Sequence, residues 1–152
     1  MWLTTQFKDS AMLINAVPDV LRMLYCLNGA GKINNIESNF HDANNDQELL
    51  IEFDYLHAAG DSQISISLAS SNAYPKPAAY AINGLRADRH VELPNYRISL
   101  HSAENQIPVT NPLACSIKNF ISSIHAKSTC DEVALIDGMT HLAQIFQAVT
   151  QN

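Results

Sequence analysis

Two neighbouring segments with a strict two-residue alternation constrain the fold more than any other feature of the chain. Residues 47–56 alternate large apolar side chains with polar, mostly acidic ones, and residues 63–69 repeat the alternation. Because successive side chains of a strand point to opposite faces, each segment predicts a strand with one apolar face. The short connection Ala59-Gly60-Asp61 favours an antiparallel hairpin between them. A sheet that is apolar on one face is covered by helices on that side.

Three segments have the periodicity of helices that would cover such a sheet. The first predicted helix covers residues 12–29 and ends at Asn28-Gly29. The second begins at Asn111-Pro112, with Asn111 as the cap and Pro112 as the first helical residue. The third covers residues 135–150. The expected buried stripes are Leu13, Val17, Val20, Leu24 and Leu27; Leu113, Ile117, Phe120, Ile121 and Ile124; and Leu135, Met139, Leu142, Phe146 and Val149.

The rest of the chain predicts weaker elements. Further strands are expected at 32–40, 80–85, 90–93 and 96–101, and residues 102–110 are expected to be irregular. The whole of residues 1–152 is expected to form a single α+β domain, a largely antiparallel open sheet with helices packed on one face. All three helical stripes are expected to need that face.

Composition limits the classes of partner and the compartment. The formal net charge is −6 and the nine basic residues are scattered, which argues against a nucleic-acid partner. No window approaches the about 20 apolar residues of a membrane span, and the N-terminus lacks the layout of a signal peptide. Three cysteines without a CxxC spacing predict reduced thiols in a cytoplasmic protein.

Several segments carry a resemblance to a known family. The run Leu13–Val20, Leu-Ile-Asn-Ala-Val-Pro-Asp-Val, is similar to the catalytic-histidine helix of the glucose–fructose oxidoreductase / inositol dehydrogenase / MocA family. A tyrosine-proline segment at 73–77, a Gly-containing turn near Gly84 and strands ending at Pro94 resemble one subgroup. The tail resembles the family's closing pattern, with Asn111-Pro112-Leu113, Phe120, Ile124, Asp137-Gly138, Leu142 and Ala148-Val149.

The resemblance implies the C-terminal, substrate-binding and oligomerisation domain of an NAD(P)-dependent oxidoreductase that acts on a sugar- or polyol-like substrate. It covers only that half: Gly29-Ala30-Gly31 lacks the third glycine of a Rossmann fingerprint and follows a helix. The family's Glu-Lys-Pro motif is absent as well. No cofactor is therefore expected for this chain alone, and NAD or NADP is expected only if a separate Rossmann-domain chain completes it. The resemblance also implies a homo-oligomer formed through the open sheet face.

The family's catalytic histidine aligns with Pro18, and proline cannot transfer a proton. No catalytic residue is therefore assigned, and the isolated chain is expected to be inactive. Pro18 either starts a helix or kinks a longer one. Asn15 and Asp19 are candidates for substrate contacts, although both residues equally suit a helix cap. Tyr74 and Tyr80 are further candidates that flank a proline-rich loop, with ordinary loop packing as the alternative.

Alternative functions rest on fewer residues. A non-catalytic α+β binding or dimerisation module would keep the fold without the chemistry. Glu48, Glu52 and Asp54 share one strand face and suit either glycoside chemistry or, more simply, a solvated face. The only support for a metal-dependent hydrolase is six scattered histidines, none of which forms a close pair such as His-x-x-x-His. No metal site is therefore assigned.

Overall fold

The chain folds into two compact units that each contain one antiparallel sheet. A computed structural model describes residues 10–43, 46–69, 71–75, 77–126 and 132–151. Of these, unit 1 contains 10–69 and 132–151, and unit 2 contains 71–126. The predicted α+β class is confirmed. The strands form two sheets, however, rather than the one open sheet expected from the sequence.

Unit 1 is a three-stranded sheet with two helices on its apolar face. In chain order its elements are α1 (Ser10–Asn28), β1 (Gly31–Ala43), β2 (Asp46–His57), β3 (Gly60–Ala69) and, after unit 2, α3 (Glu132–Gln151). The strand order is β1-β2-β3, and both pairings are antiparallel. Helices α1 and α3 contact each other, α1 contacts β3 and α3 contacts β1. This packing encloses the core.

The alternation in β2 is confirmed. The large apolar side chains Leu49, Ile51, Phe53 and Tyr55 are all buried. Opposite the first three, β3 places apolar partners: Leu68, Ile66 and Ile64 respectively. Burial of each such side chain is favourable by about 1.5–3 kcal/mol relative to exposure. The hairpin between β2 and β3 is therefore the centre of unit 1.

An irregularity in β1 lets an asparagine-rich segment remain a strand. The register with β2 shifts between Asn34 and Glu37, and Asn35 has φ of 51°. Before the shift Ile33 is inward, and after it Phe40 is inward, so the inward positions change from odd to even numbers. A β-bulge of this kind inserts a residue and re-aims the side chains that follow. It keeps the apolar residues on the core face.

The helices of unit 1 bury slightly different residues from those predicted. In α1, Leu13, Val17 and Leu24 are buried as expected, but Leu21 joins them while Leu27 is 59% exposed. In α3 the expected Leu135 and Met139 are exposed, and Ile145, which was not predicted, is fully buried. The remaining predicted members, Val20, Leu142, Phe146 and Val149, are partly buried against the core. Pro18 lies inside α1, so it does not start the helix.

Unit 2 contains a four-stranded antiparallel sheet and one helix. Its elements are β4 (Ala79–Ile82), β5 (Leu85–Glu92), β6 (Arg97–His101), β7 (Gln106–Val109) and α2 (Pro112–Ala126). The expectation of separate strands at 80–85 and 90–93 is wrong in its bounds, because residues 86–89 between them lie within β5. The turn is Asn83-Gly84, both with positive φ, which is the pattern of a two-residue hairpin. The prediction that 102–110 is irregular also fails, because β7 pairs with β6.

Helix α2 begins as predicted but does not bury its stripe. The backbone N–H of Ala114 donates to the Asn111 side chain at 3.3 Å, which confirms the cap. The expectation of a buried stripe is wrong for its described side chains, because Ile117, Phe120, Ile121 and Ile124 are 48–65% exposed. The Leu113 side chain lies outside the described residues. Periodicity identifies the apolar face of a helix but not whether another element covers it.

Candidate functional site

The candidate site of unit 1 begins at the turn between α1 and β1. Gly29 ends the helix with φ of 76° and donates its N–H to the Tyr25 carbonyl at 2.8 Å. The Tyr55 hydroxyl donates to the Gly29 carbonyl oxygen at 2.7 Å. A Cβ at Gly31 would lie 2.6 Å from the Tyr55 ring and 2.6 Å from the Leu56 carbonyl oxygen. The glycines at 29 and 31 therefore serve helix termination and close packing against Tyr55.

His141 is the buried polar residue of this region. It lies on α3, is 9% exposed, and its ring meets the edge of the Tyr55 ring with centroids 6.1 Å apart. Burial lowers the pKa of His141, while the Asp137 carboxylate and a hydrogen bond with the Gly31 backbone oppose that shift. The imidazole is therefore neutral at pH 7 and offers one donor and one acceptor nitrogen.

The Tyr55 phenol stays protonated for the same physical reason. Burial raises the pKa of Tyr55, with additional contributions from Asp137 and Tyr25. A protonated hydroxyl is the form that donates to the Gly29 carbonyl. The phenol thus connects the end of α1 to the part of the sheet where His57 lies and which His141 of α3 contacts.

His57, the last residue of β2, is oriented by two contacts. Its ring stacks against Tyr55 with centroids 6.0 Å apart and planes inclined at 29°. The Ala59 backbone N–H donates to Nδ1 at 3.4 Å, and Nε2 lies 3.2 Å from the Ser62 hydroxyl oxygen. With Nδ1 accepting, Nε2 is the nitrogen that carries the proton.

Gly31, His57 and His141 line one open cleft of about 680 Å³. Its walls come from the start of β1, the end of β2 and one face of α3. Its apolar and small lining residues are Ala30, Gly31, Ile33, Leu56 and Ala58. Its lining residues with side chains that can donate or accept hydrogen bonds are Lys32, Asn34, His57, Asp137, Thr140, His141 and Gln144. The volume falls within the range of about 300–1,000 Å³ that is typical of small-molecule sites.

The charges in the cleft balance. Lys32 brings one positive charge and Asp137 one negative charge, while the buried His141 is neutral at pH 7. Asn34 and Gln144 add amides that both donate and accept. Such a lining matches a neutral ligand with several hydroxyl groups better than a strongly charged one.

The cleft contains none of the site residues predicted from the sequence. Pro18 and Asp19 lie in the middle of α1, half-buried and exposed respectively. Asn15 lies in the same helix, and its side chain is outside the described part of the structure. Because α1 begins at Ser10, the alternative interpretation of Asn15 and Asp19 as helix caps is wrong.

Tyr74 and Tyr80 belong to unit 2. Tyr74 is 71% exposed and its hydroxyl donates to that of Tyr96, which is 60% exposed, at 3.0 Å. This hydrogen bond raises the pKa of Tyr74. Tyr80 lies on β4 and is 40% exposed. The two predicted residues therefore sit on different elements, and Tyr74 is paired with a tyrosine that sequence analysis did not identify.

The acidic side chains of β2 are engaged on the solvent side of the sheet. Glu48 accepts a hydrogen bond from the Ser67 hydroxyl at 2.7 Å, and Asp54 accepts one from the Asn35 amide at 2.7 Å. Both pairs are exposed. The arrangement is that of a solvated strand face with cross-strand pairs.

Metal-ligand clusters and membrane spans are absent from the described residues. There, no group of three or more His, Cys, Asp or Glu side chains is placed to hold a metal ion. Among the same residues, no helix combines the length and the apolar character needed to cross a membrane. Cys26 and Cys115 are free thiols, and Cys130 lies outside the described residues.

Comparisons add no relative: no protein-family model, curated protein or solved structure matches the chain. The cleft must therefore be interpreted from its own residues. Sequence analysis missed it because its walls come from segments about 80 residues apart in the chain. The available signal was Gly29-Ala30-Gly31, in which Gly29 ends a helix and Gly31 permits a close approach of the Tyr55 ring.

Proposed function

We propose that this chain is a binding module for a small neutral ligand with several hydroxyl groups, of the size of a polyol or monosaccharide. The main support for this proposal is the lining of the cleft, where hydrogen-bond donors and acceptors from β1, β2 and α3 lie together and the charge of Lys32 is balanced by that of Asp137. The sequence resemblance to sugar- and polyol-acting oxidoreductases independently favours the same ligand class.

In the fuller form of this proposal, the chain is the C-terminal, substrate-binding domain of an NAD(P)-dependent oxidoreductase and operates in the cytoplasm. A separate Rossmann-domain chain would supply the cofactor. The competing form is a binding module without attached redox chemistry. An upstream reading frame with Gly-x-Gly-x-x-Gly and Glu-Lys-Pro would favour the first form over the second.

Isothermal titration with a panel of ligands tests the binding proposal. The panel contains inositol, sorbitol and glucose, with citrate and inorganic phosphate as anionic comparisons and NAD(H) and NADP(H) as cofactors. We expect binding of at least one neutral polyhydroxylated ligand and no binding of the anions or of the cofactors. A cofactor that binds this chain alone would contradict the assignment of the nucleotide half to a separate chain.

Two matched variants locate the site. Asp137→Asn removes a charge inside the cleft without changing size, and Asp19→Asn makes the same change on the exposed face of α1. We expect about tenfold weaker binding for Asp137→Asn, the cost of one charge-assisted hydrogen bond, and no change for Asp19→Asn. The reverse pattern would move the site to the residues predicted from the sequence.

We further propose that unit 2 self-associates through one face of its sheet, as the family resemblance implies. The strand register places Tyr80, Ile82, Leu85, Ile107 and Val109 on that face, and all five are 36–81% exposed. We call it the apolar face. The four strands have 4, 8, 5 and 4 residues, so they are about 13–26 Å long and, spaced about 4.8 Å apart, present roughly 330 Å². The largest apolar patch on a monomer is commonly of this size and is often functional, and a second copy of the chain is the occupant we propose.

A further inference from the structure

The opposite face of the unit 2 sheet brings two histidines together. The register of β5 with β6 places His90 opposite Ser99 and Asp88 opposite His101. The two imidazoles are therefore diagonal neighbours on one face. Their ring centroids are 4.9 Å apart and their planes are tilted by 32°. The two histidines are eleven positions apart in the sequence, with a turn between them. Motifs that require two histidines within one helix or loop therefore do not identify the pair.

We propose that His90 and His101 form a two-histidine chelate for a late first-row divalent metal ion, such as Cu²⁺ or Ni²⁺. When a ring nitrogen binds an ion at about 2.0–2.1 Å, the ring centroid lies about 3.2 Å from the ion. Two centroids 4.9 Å apart then subtend about 100° at a shared ion, near tetrahedral and square-planar angles alike.

The neighbouring side chains favour this interpretation. Ser99 Oγ lies 2.8 Å from Nε2 of His101, so the hydroxyl orients that ring and leaves Nδ1 as the second nitrogen. A hydrogen bond to the non-ligating nitrogen is the usual support of a metal-binding imidazole. Asp88 is already held by Arg86 in an ion pair at 2.7 Å. The imidazoles are thus the leading donors, with water filling the remaining positions.

Ligand type sets the metal class. Imidazole nitrogens prefer copper, nickel and zinc, whereas magnesium and calcium prefer carboxylate and carbonyl oxygens. Within the divalent series the affinity should follow the order Ni²⁺ < Cu²⁺ > Zn²⁺. The surrounding strands fix the Cβ positions of both histidines, so the second nitrogen binds as an intramolecular step. This site lies in unit 2 and is independent of the cleft in unit 1.

The test is a Cu²⁺ titration of the full chain followed by electron paramagnetic resonance. Because thiols bind and reduce copper, all proteins carry Cys26→Ser, Cys115→Ser and Cys130→Ser. We expect one tight site whose nitrogen splitting shows two coordinated imidazoles, and no binding of Mg²⁺. A spectrum of the copper-loaded parent protein that shows only one coordinated nitrogen would overturn the proposal before any histidine is replaced.

Single histidine variants identify the ligands. His90→Gln and His101→Gln should each weaken Cu²⁺ binding at least about tenfold, because each leaves one imidazole without its chelate partner. His125→Gln, an exposed histidine of α2 in the same unit, is the matched control and should bind as before. Circular dichroism checks that each variant remains folded. Equal affinity in the parent, His90→Gln and His101→Gln would assign the copper to other residues and reject the chelate.

Discussion

The hydroxyl of Tyr55 donates a hydrogen bond to the backbone carbonyl oxygen of Gly29 at 2.7 Å. It joins the sheet to the end of α1, where the helix leaves carbonyl groups without a helical partner. The Tyr55 side chain is 2% exposed, so water does not readily replace this bond. The contact fixes the turn from which the cleft is built.

Removal of this hydroxyl should destabilise unit 1. Tyr55→Phe deletes the donor and leaves the Gly29 carbonyl unsatisfied, so the free energy of unfolding should fall by about 1–2 kcal/mol. Urea denaturation measures the change. Tyr80→Phe is the control, because the Tyr80 side chain is 40% exposed, and should alter stability by less than about 0.5 kcal/mol. Equal effects of the two changes would contradict the importance of the Gly29 contact.

Alanine at Gly31 should be poorly tolerated. Its Cβ would lie 2.6 Å from both the Tyr55 ring and the Leu56 backbone oxygen, and a backbone atom within a strand pair cannot easily move. Forced repacking should cost about 1–3 kcal/mol, measured as a lower midpoint of thermal unfolding.

Gly138→Ala provides the matched control for this change. Gly138 lies inside α3, and a Cβ there would have nothing within 4 Å. Alanine is favoured over glycine in a helix by about 0.5–1 kcal/mol, so the same substitution should stabilise. If both variants were destabilised alike, crowding at Gly31 would not be the cause.

Stability should depend on the protonation of His141. Because its pKa is lowered in the folded state, the unfolded chain takes up the proton first as the pH falls below about 6.5. The free energy of unfolding should therefore decrease from that pH down to the folded-state pKa and then level off. Denaturation at a series of pH values measures this slope. His141→Gln should flatten it, whereas His125→Gln should leave it unchanged.

The backbone at Asn35 should discriminate between alanine and glycine. Asn35 has φ of 51°, a conformation that asparagine and glycine adopt more easily than other residues. Asn35→Ala should lower the free energy of unfolding by about 1 kcal/mol, and Asn35→Gly should cost less although it also loses the bond to Asp54. Urea denaturation of the two variants decides. Both variants lose that bond, so a larger loss for glycine would show that the positive φ does not decide the preference at this position.

Self-association should depend on the apolar face. Leu85 is 81% exposed on it, and Leu85→Lys places a charge at its edge. Sedimentation equilibrium should show an oligomer for the parent chain and a shift toward monomer for this variant. Ile14→Lys, at an exposed apolar position of α1 in unit 1, should leave the oligomer intact. A strict monomer at high protein concentration would reject the proposed interface.

The sequence predicts local structure well where one physical signal dominates. The alternation in β2 identifies four inward residues because helices cover only one face of the sheet. The Asn111 cap likewise marks the start of α2. The division into two sheets is not predictable in this way. It depends on which strands pair, and the alternation of a strand does not name its partner. The exposed stripe of α2 has the same periodicity as a buried one.

The candidate site is less predictable still. Asp137 and His141 reach the cleft from α3, whereas His57 ends β2, and no spacing rule links residues so far apart. The histidine pair on β5 and β6 depends on the register of these two strands, which is set by the turn over residues 93–96 and not by any motif around the histidines. Short motifs identify sites whose ligands are local, and neither of these sites is local.

The interrupted path of the chain through unit 1 has a consequence during synthesis. The three-stranded sheet is complete once Ala69 has left the ribosome, but Ile145, a fully buried member of the core beside it, follows 76 residues later. At translation rates of about 5–20 residues per second the gap lasts about 4–15 s. Throughout that interval the nascent sheet carries an apolar surface that α1 alone cannot cover, and this surface is where we expect a chaperone to bind.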